Sequence, residues 1–316
     1  MTRQTIPIFF ACDDNFVKYT VVSLHSMITN ASNDNDYKIY VLNTNISERM
    51  MSALRELENG NFSVEFINVT PYLESIADKL PVRHYYTKTT YFRLFIADMF
   101  PEYDKAIYID SDTIVQGDIS KFFAIELGDN YVGACNEQVM AQMDVFGTYC
   151  EKVVGVSRDK FFNAGLLLIN CRAWREHSVL DEFMKYLGAY SFIVTQDEDY
   201  LNVICKDKTL LIDQHWNTEI TVGIKYSYPE CEAYLLHYIM VNKPWHYTDC
   251  VCGDIFWRYA SETSVYEELR AELEAYTDEQ RERDRLSGEN LAQMARDEIA
   301  REDNFLNRIT YPEKFN

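Results

Sequence analysis

The sequence is short of the residues that keep a chain loose. Among 316 residues only 11 are Gly and 7 are Pro, too few for a collagen-like repeat, a low-complexity linker or an extended disordered segment. Basic residues are scarce as well: 30 Lys and Arg stand against 50 Asp and Glu, a formal net charge of −20. That balance excludes a nucleic-acid backbone or an anionic membrane as the main partner, because both call for a positive surface. A phosphate-bearing ligand then needs local help from a cation or from a few placed Lys and Arg. No apolar run reaches the roughly 20 residues of a membrane span. The opening Met1-Thr-Arg-Gln-Thr-Ile-Pro7 lacks the charged and apolar regions of a secretory signal, so a cytoplasmic location is expected. Eight Cys, at positions 12, 135, 150, 171, 205, 231, 250 and 252, lie partly inside apolar runs and are expected to be reduced, buried small hydrophobes. Cys250-Val-Cys252 has no second Cys or His pair at zinc spacing.

What the chain does have builds a core. Hydrophobic residues make up 47% and aromatics 14%, and the length allows one large domain or two small ones. The first half alternates strand and helix patterns. Ile6–Cys12 reads as a buried strand, and Val17, Val21, Leu24 and Ile28 then fall on one helical face. Lys38–Asn43 is a second strand. Ser47 caps a helix carrying Met50, Met51, Leu54 and Leu57, which Asn59-Gly60 ends. Ser63–Val69 is a third strand, Thr89–Phe100 a helix stopped by Pro101, and Lys105–Ile109 a fourth strand. Later strands are predicted over residues 131–136, 165–170, 209–213 and 234–238. This alternation implies an α/β layer fold with a largely parallel sheet.

Two carboxylates separated by one residue, Asp110-Ser111-Asp112, follow directly on the fourth strand. A buried strand ending this way delivers paired hard oxygens to the mouth of a sheet, as a divalent cation requires. An acidic chain also makes such triplets by chance, and there are two more. Asp34/Asp36 lies in a polar turn; Asp197/Asp199 opens a predicted helix. Ligands of open α/β sheets bind outside the carboxyl ends of the strands. Asp13, Asp14 and Asn15 fall there as well as Asp110 and Asp112, so two carboxylate clusters are expected to meet at one edge. From Glu262 to Asp303 the chain carries 14 acidic and 6 basic residues. With Val265, Leu269, Leu273 and Tyr276 at helical spacing, this tail reads as one or two amphipathic helices with Gly288 as a break.

Six segments, in order, resemble glycosyltransferase family 8, the retaining sugar-nucleotide transferases that include bacterial lipopolysaccharide galactosyl- and glucosyltransferases. They are Phe9-Phe-Ala-Cys-Asp-Asp-Asn-Phe16, Thr89-Thr-Tyr-Phe-Arg93, Tyr108-Ile-Asp-Ser-Asp112, Phe162-Asn-Ala-Gly-Leu-Leu-Leu-Ile-Asn170, Gln196-Asp-Glu-Asp199 and His237 with Lys243-Pro-Trp245. They cover about residues 6 to 257. The resemblance implies a GT-A fold over residues 1–260 with an acidic helical extension over 261–316. It also implies a UDP-glucose or UDP-galactose donor, a saccharide or lipid-linked glycan acceptor, and Mn²⁺ or another divalent cation. His237 is implied as the third metal ligand beside Asp110 and Asp112, a donor set that suits Mn²⁺. Lys243 is expected on the donor phosphates, and Ser111 counts with the donor site. Asp13 and Asn15 are expected on the uracil and ribose edges, with the Phe16 ring against the base. Asn163 and Asp197 are implied hydroxyl-binding groups for the donor sugar. Arg93 is the one charge among Tyr91, Phe92, Leu94, Phe95 and Ile96; it cannot be buried without partners, so a carboxylate or a sugar hydroxyl is expected beside it.

Three departures from the family pattern bear on mechanism. Many relatives read Asp-Gln-Asp where this chain has Asp197-Glu198-Asp199, and a carboxylate can act as nucleophile or oxocarbenium stabiliser where an amide cannot. Glu198, with Asp197, is therefore the candidate catalytic residue. Met240 stands in a loop where relatives often use Gly to let backbone approach phosphates. The tail is acidic, which disfavours docking on anionic lipid. Two rivals are a metal-dependent phosphohydrolase and a catalytically silent sugar-nucleotide-binding protein.

Overall fold

In the computed structural model, which describes residues 3–76 and 89–315, the organising element is strand β1 (Gln4–Ala11). Ile6, Ile8 and Phe10 belong to one core cluster and Phe9 to the other, and all four are fully buried. A run that reads as continuously apolar is thus a strand covered on both faces. Helix α1 (Val17–Asn30) buries Val17, Val21 and Leu24 as their spacing predicts. β2 (Asn35–Asn43) pairs parallel with β1 throughout. In α2 (Glu48–Arg55), Ser47 accepts from the Met50 N–H as the expected cap. β3 (Phe62–Asn68) pairs parallel with β2. β4 (Ala106–Ile109) lies parallel to β1 on its other side. The short strands β5 (Thr113–Val115), β6 (Val132–Ala134) and β7 (Leu166–Ile169) follow. Helix α3 (Asp197–Cys205) precedes β8 (Thr209–Leu211), β9 (Thr218–Glu219) and β10 (Leu235–His237).

The main sheet has the order β3-β2-β1-β4-β7-β6-β8. Only β7 runs against its neighbours β4 and β6, so the sheet is mixed and mostly parallel. A second sheet has the order β5-β10-β9. In it Thr113 lies opposite His237, which carries a residue 125 positions downstream to the end of the Asp110–Asp112 turn.

Three expectations need correction. Thr89–Phe95 forms a 3₁₀ turn, with one α-helical turn only over Ile96–Met99. Tyr91 to Ile96 are all buried, so the segment is wedged between layers and has no polar face to support a surface helix. The cysteines are not all reduced: Cys231 and Cys252 form a disulfide, while the other six are buried thiols. Their separation of 21 positions hides the pairing in the sequence, but the return of β10 to the sheet edge closes it. Over Glu262–Asp303 the tail holds two helices, as expected: after α4 (Gly253–Ala260) come α5 (Tyr266–Ala275) and α6 (Asp278–Ala300), and α7 (Phe305–Thr310) follows beyond that stretch. Gly288 does not break α6. A mid-helix Gly costs about 1 kcal/mol, and the Thr277/Gln280 capping box with the Arg285 pairs to Glu282 and Glu289 offsets it. Leu269, Leu273, Ala295 and Phe305 are buried, each large apolar one contributing about 1.5–3 kcal/mol, so the tail is packed into the core. No helix among the described residues is long and apolar enough to cross a membrane.

Candidate active site

Because β1 and β4 are parallel neighbours, their carboxyl ends open side by side. A cavity of about 310 Å³ lies there, lined by Asp13, Phe16, Thr90, Tyr108 and the whole Asp110-Ser111-Asp112 turn. Behind the turn, β10 brings in His237. Its Nε2 is 3.2 Å from Asp112 Oδ1 and 3.8 Å from Asp110 Oδ2. One ligand atom from each of Asp110, Asp112 and His237 falls within 4.8 Å of the others.

Each carboxylate has one oxygen held and one turned toward His237. Asp110 Oδ1 accepts from the Tyr108 hydroxyl at 2.6 Å and lies 3.3 Å from Arg93 Nη2. Asp112 Oδ2 accepts from Lys243 Nζ at 2.5 Å. Burial alone would push Asp112 up, but Lys243 and then His237 outweigh it and hold the carboxyl far below the usual range. Lys243, expected on the donor phosphates, places its ammonium on Asp112 and the Tyr238 carbonyl, inside the cluster.

The tautomer of His237 follows from a chain of hydrogen bonds. The Gly165 N–H donates to Asn163 Oδ1, so that atom is an oxygen, and Asn217 Nδ2 donates to the same atom at 2.8 Å. Asn217 therefore turns its own oxygen to His237 Nδ1, 3.1 Å away. An oxygen there requires Nδ1 to carry the proton, which leaves the Nε2 lone pair facing the two carboxylates. Gly165 is what allows the approach: a Cβ on it would stand 2.1 Å from His237 Cε1 and 2.8 Å from Asp110 Oδ2. Two hard oxygens and one imidazole lone pair, converging on a point that a methyl group would block, fit a divalent cation.

Arg93 joins this triplet to the other one. Its guanidinium is buried, 3.0 Å from Asp197 Oδ2, over the Tyr108 ring at 4.4 Å, and donates to the Thr90 and Ala164 carbonyls. Asp197, at the start of α3, is pushed up by burial, partly countered by Arg93. Glu198 accepts from the Ala164 N–H at 2.8 Å. Burial and then the neighbouring Glu137 drive its carboxyl well above the ordinary range. Asp199 is raised to about 7 by burial, with the Thr195 N–H and the Tyr149 hydroxyl opposing. Glu137 and Glu219, both buried, complete a carboxyl cluster with Glu198, and burial drives both of them up as well.

The other expected residues are placed as follows. Asp13 accepts from the N–H groups of Asn15 and Phe16 and so shapes the turn into α1. The Phe16 ring is 46% exposed beside the cavity. Asn15 is exposed and outside the cavity lining. Ser111 is buried and accepts from the Thr20 hydroxyl. Asn163 is buried with its oxygen committed to Gly165 and Asn217. Sequence reasoning missed Asn217, which has no local pattern around it, and the Glu137–Glu219 pair. Tyr108 and Gly165 lay inside quoted segments without being given a role.

This geometry has known counterparts. The family model described as glycosyl transferase family 8 matches residues 7–249. The chain belongs to that family. Glycosyltransferase GlyF of Streptococcus pneumoniae is 27% identical over 71% of this chain and 54% of its own. The lipopolysaccharide 1,3-galactosyltransferase of Salmonella typhimurium is 27% identical over 53% of this chain and 52% of its own. The chain thus spans about half the length of these two relatives. Among solved structures, galactosyltransferase LgtC in complex with donor and acceptor sugar analogs superimposes with a TM-score of 0.67. It is 27% identical, over 85% of this chain and all of that one. The family 8 chain therefore has a GT-A fold like its neighbours, and the residues that resemble the family's motifs converge on one sheet edge.

Proposed function

We propose that this family 8 protein transfers a hexose, glucose or galactose, from a UDP-sugar to a saccharide or lipid-linked glycan, with retention and with a divalent cation such as Mn²⁺. The observation that carries the reading is the convergence of Asp110, Asp112 and a His237 whose lone pair is fixed by Asn217 beside a 310 Å³ cavity. A cation held by these three supplies Lewis-acid neutralisation of a diphosphate leaving group. The chain's own residues do the rest. Asp13 and Phe16 form the nucleoside side of the cavity, the exposed ring offering a face for the base, with Asn15 in the same turn just outside the lining. Arg93 fixes Asp110 and Asp197 relative to each other, so that the sugar-facing carboxylates keep their register with the metal turn. Lys243 keeps Asp112 ionised and adds positive charge where diphosphate oxygens arrive. The glycosidic bond to the phosphate breaks, the acceptor oxygen takes its place on the same face, and the acceptor proton leaves to the departing diphosphate.

Incubation with Mn²⁺ and a panel of UDP-sugars, following UDP release, tests the reading and names the donor. Slow Mn²⁺-dependent hydrolysis of UDP-glucose or UDP-galactose is expected, with calorimetric UDP binding that needs the cation. UDP release from no sugar nucleotide, together with cation-independent or absent UDP binding, sinks it; release of phosphate from simple phosphomonoesters would favour the phosphohydrolase.

A further inference from the structure

A second cavity, about 670 Å³, lies beside the segment that leads into the second triplet, between α6 of the acidic tail and two loops of the catalytic core. That size is within the range of roughly 300–1,000 Å³ for small-ligand sites. One loop contributes Ile193, Val194 and Gln196 and the other Met240 and Val241. Gln196 immediately precedes Asp197, and Met240 lies midway between His237 and Lys243. The groove therefore shares its walls with the segments that carry the site residues, yet shares no lining residue with the 310 Å³ cavity.

Both lips are strained. Gln196 has φ 57° and Met240 φ 56°, two of four non-Gly residues with left-handed backbone among the described residues. Such strain persists where surrounding structure holds it and clusters at ligand sites. The tail supplies the opposite wall as one helical stripe: Arg283, Leu286, Ser287, Asn290, Leu291 and Met294 recur at the three- and four-residue spacing of a single face. Leu286, Met240 and Ile193 are exposed large hydrophobics, and together they give the groove an apolar floor.

Charge identifies the occupant. On α6, Arg281 pairs with Asp278, and Arg285 with Glu282 and Glu289. Arg283, between them, has no carboxylate within 4.0 Å among the described residues. A guanidinium left unpaired in a segment this acidic, facing a groove, is a receptor for an anion.

We propose that this groove is the acceptor subsite and that it takes a saccharide carrying an anionic substituent, a carboxylate or a phosphate. The apolar face of the sugar ring rests on Met240 and Leu286, the Asn290 amide meets hydroxyls, and Arg283 holds the anion. This inference rests on the transferase reading above. It also gives the acidic tail a function, as one wall of a substrate site.

The test uses the intact chain labelled with ¹³C at its methionine methyls, with UDP and Mg²⁺ present. It is titrated separately with methyl β-D-glucoside, methyl β-D-glucuronide and glucose 6-phosphate. The Met240 and Met294 methyl signals should shift, while those of Met27 and Met50, buried in the core, should not. At least one of the two anionic sugars should bind about tenfold or more tightly than the neutral one; which of the two does so tells carboxylate from phosphate. Arg283→Ala should erase that preference. Ser287→Trp, which fills the groove, should abolish the shifts. The subsite is overturned if no saccharide moves Met240 or Met294, or if Arg283→Ala leaves the anion preference intact. The two readings fail separately. Hydrolysis without methyl shifts removes the subsite and leaves the transferase; methyl shifts without hydrolysis or UDP binding remove the transferase and leave a saccharide groove.

Discussion

Asp110-Ser111-Asp112 and Asp197-Glu198-Asp199 are chemically near-identical triplets that the fold treats in opposite ways. The first is supplied with cations: Lys243 holds Asp112 far below the carboxylate range, and Arg93 lies against Asp110. The second is supplied mostly with burial and other carboxyls. Asp197, Glu198 and Asp199 are all raised, the last to about 7, and only Arg93 at Asp197 opposes this with a positive charge. Burial is common to both, so the sign of the neighbours decides. Asp112 is held in its ionised form. The three carboxyls of the second triplet are all pushed toward their protonated forms.

The contrast is broken most severely at its ionised end. Asp112→Asn removes the charge that Lys243 and His237 converge on, and UDP-sugar hydrolysis should fall by about 10³-fold, the upper range for losing one electrostatic group at a reacting centre. Calorimetry should show loss of cation-dependent UDP binding, and the thermal unfolding temperature should fall because Lys243 loses its buried counter-ion. Retention of both activities in this variant would remove Asp112 from the metal site. Next in size is Asn217→Ala, which removes no metal ligand but frees the His237 tautomer. Cation affinity should weaken by about 10–100-fold, as for other outer partners of metal-bound imidazoles. Asn217→Asp, which still accepts from Nδ1, should restore most of it; equal losses in the two variants would mean that packing and not the tautomer is at stake.

The protonated end is tested through stability. Burial raises Asp199 from the ordinary aspartate value of 3.8 to about 7 in the fold, so between those pH values the folded chain holds a proton that the unfolded chain has released. Stability therefore falls as pH rises through that window, then levels off above about 7. Asp199→Asn cannot ionise and should lack the slope. Relative to the parent, its unfolding free energy in urea should rise by about 2–3 kcal/mol between pH 5 and pH 8. A difference independent of pH would show that Asp199 is ionised in the fold.

Much of this site was legible because its residues sit in local patterns. A strand that ends in Asp110 and Asp112, and a lone Arg93 in an apolar run, each carry their meaning in a few neighbouring residues. The parallel pairing of β1 with β4 followed from the alternation of strand and helix. What could not be read depends on contacts distant in sequence. Asn217 gains its role only when β9 and β10 pair, and Cys231 meets Cys252 only after the chain has gone around the His237 loop. Lys243 was read as a phosphate ligand from its motif, yet its partner in the fold is a carboxylate 131 residues away. The continuity of α6 through Gly288 is likewise set by capping, ion pairs and packing along the helix, against the preference of one residue.

The smallest expected effect is the one that decides between roles for Glu198. An ionised carboxylate at this position would be a competent nucleophile, and its replacement by an amide would be severe. The structure instead has Glu198 held up by burial and by Glu137, with one oxygen accepting from Ala164 N–H. A neutral carboxyl is nearly isosteric with an amide, and a Gln oxygen can accept the same hydrogen bond. Glu198→Gln should therefore keep UDP-sugar hydrolysis within about threefold near neutral pH, because no charge is lost there. Its advantage should grow with pH, since the parent alone can ionise Glu198 as the medium becomes alkaline, against the repulsion of Glu137. A loss of about 100-fold or more at neutral pH would instead assign Glu198 an ionised, covalent or charge-stabilising role, and the two triplets would then differ less than their surroundings indicate.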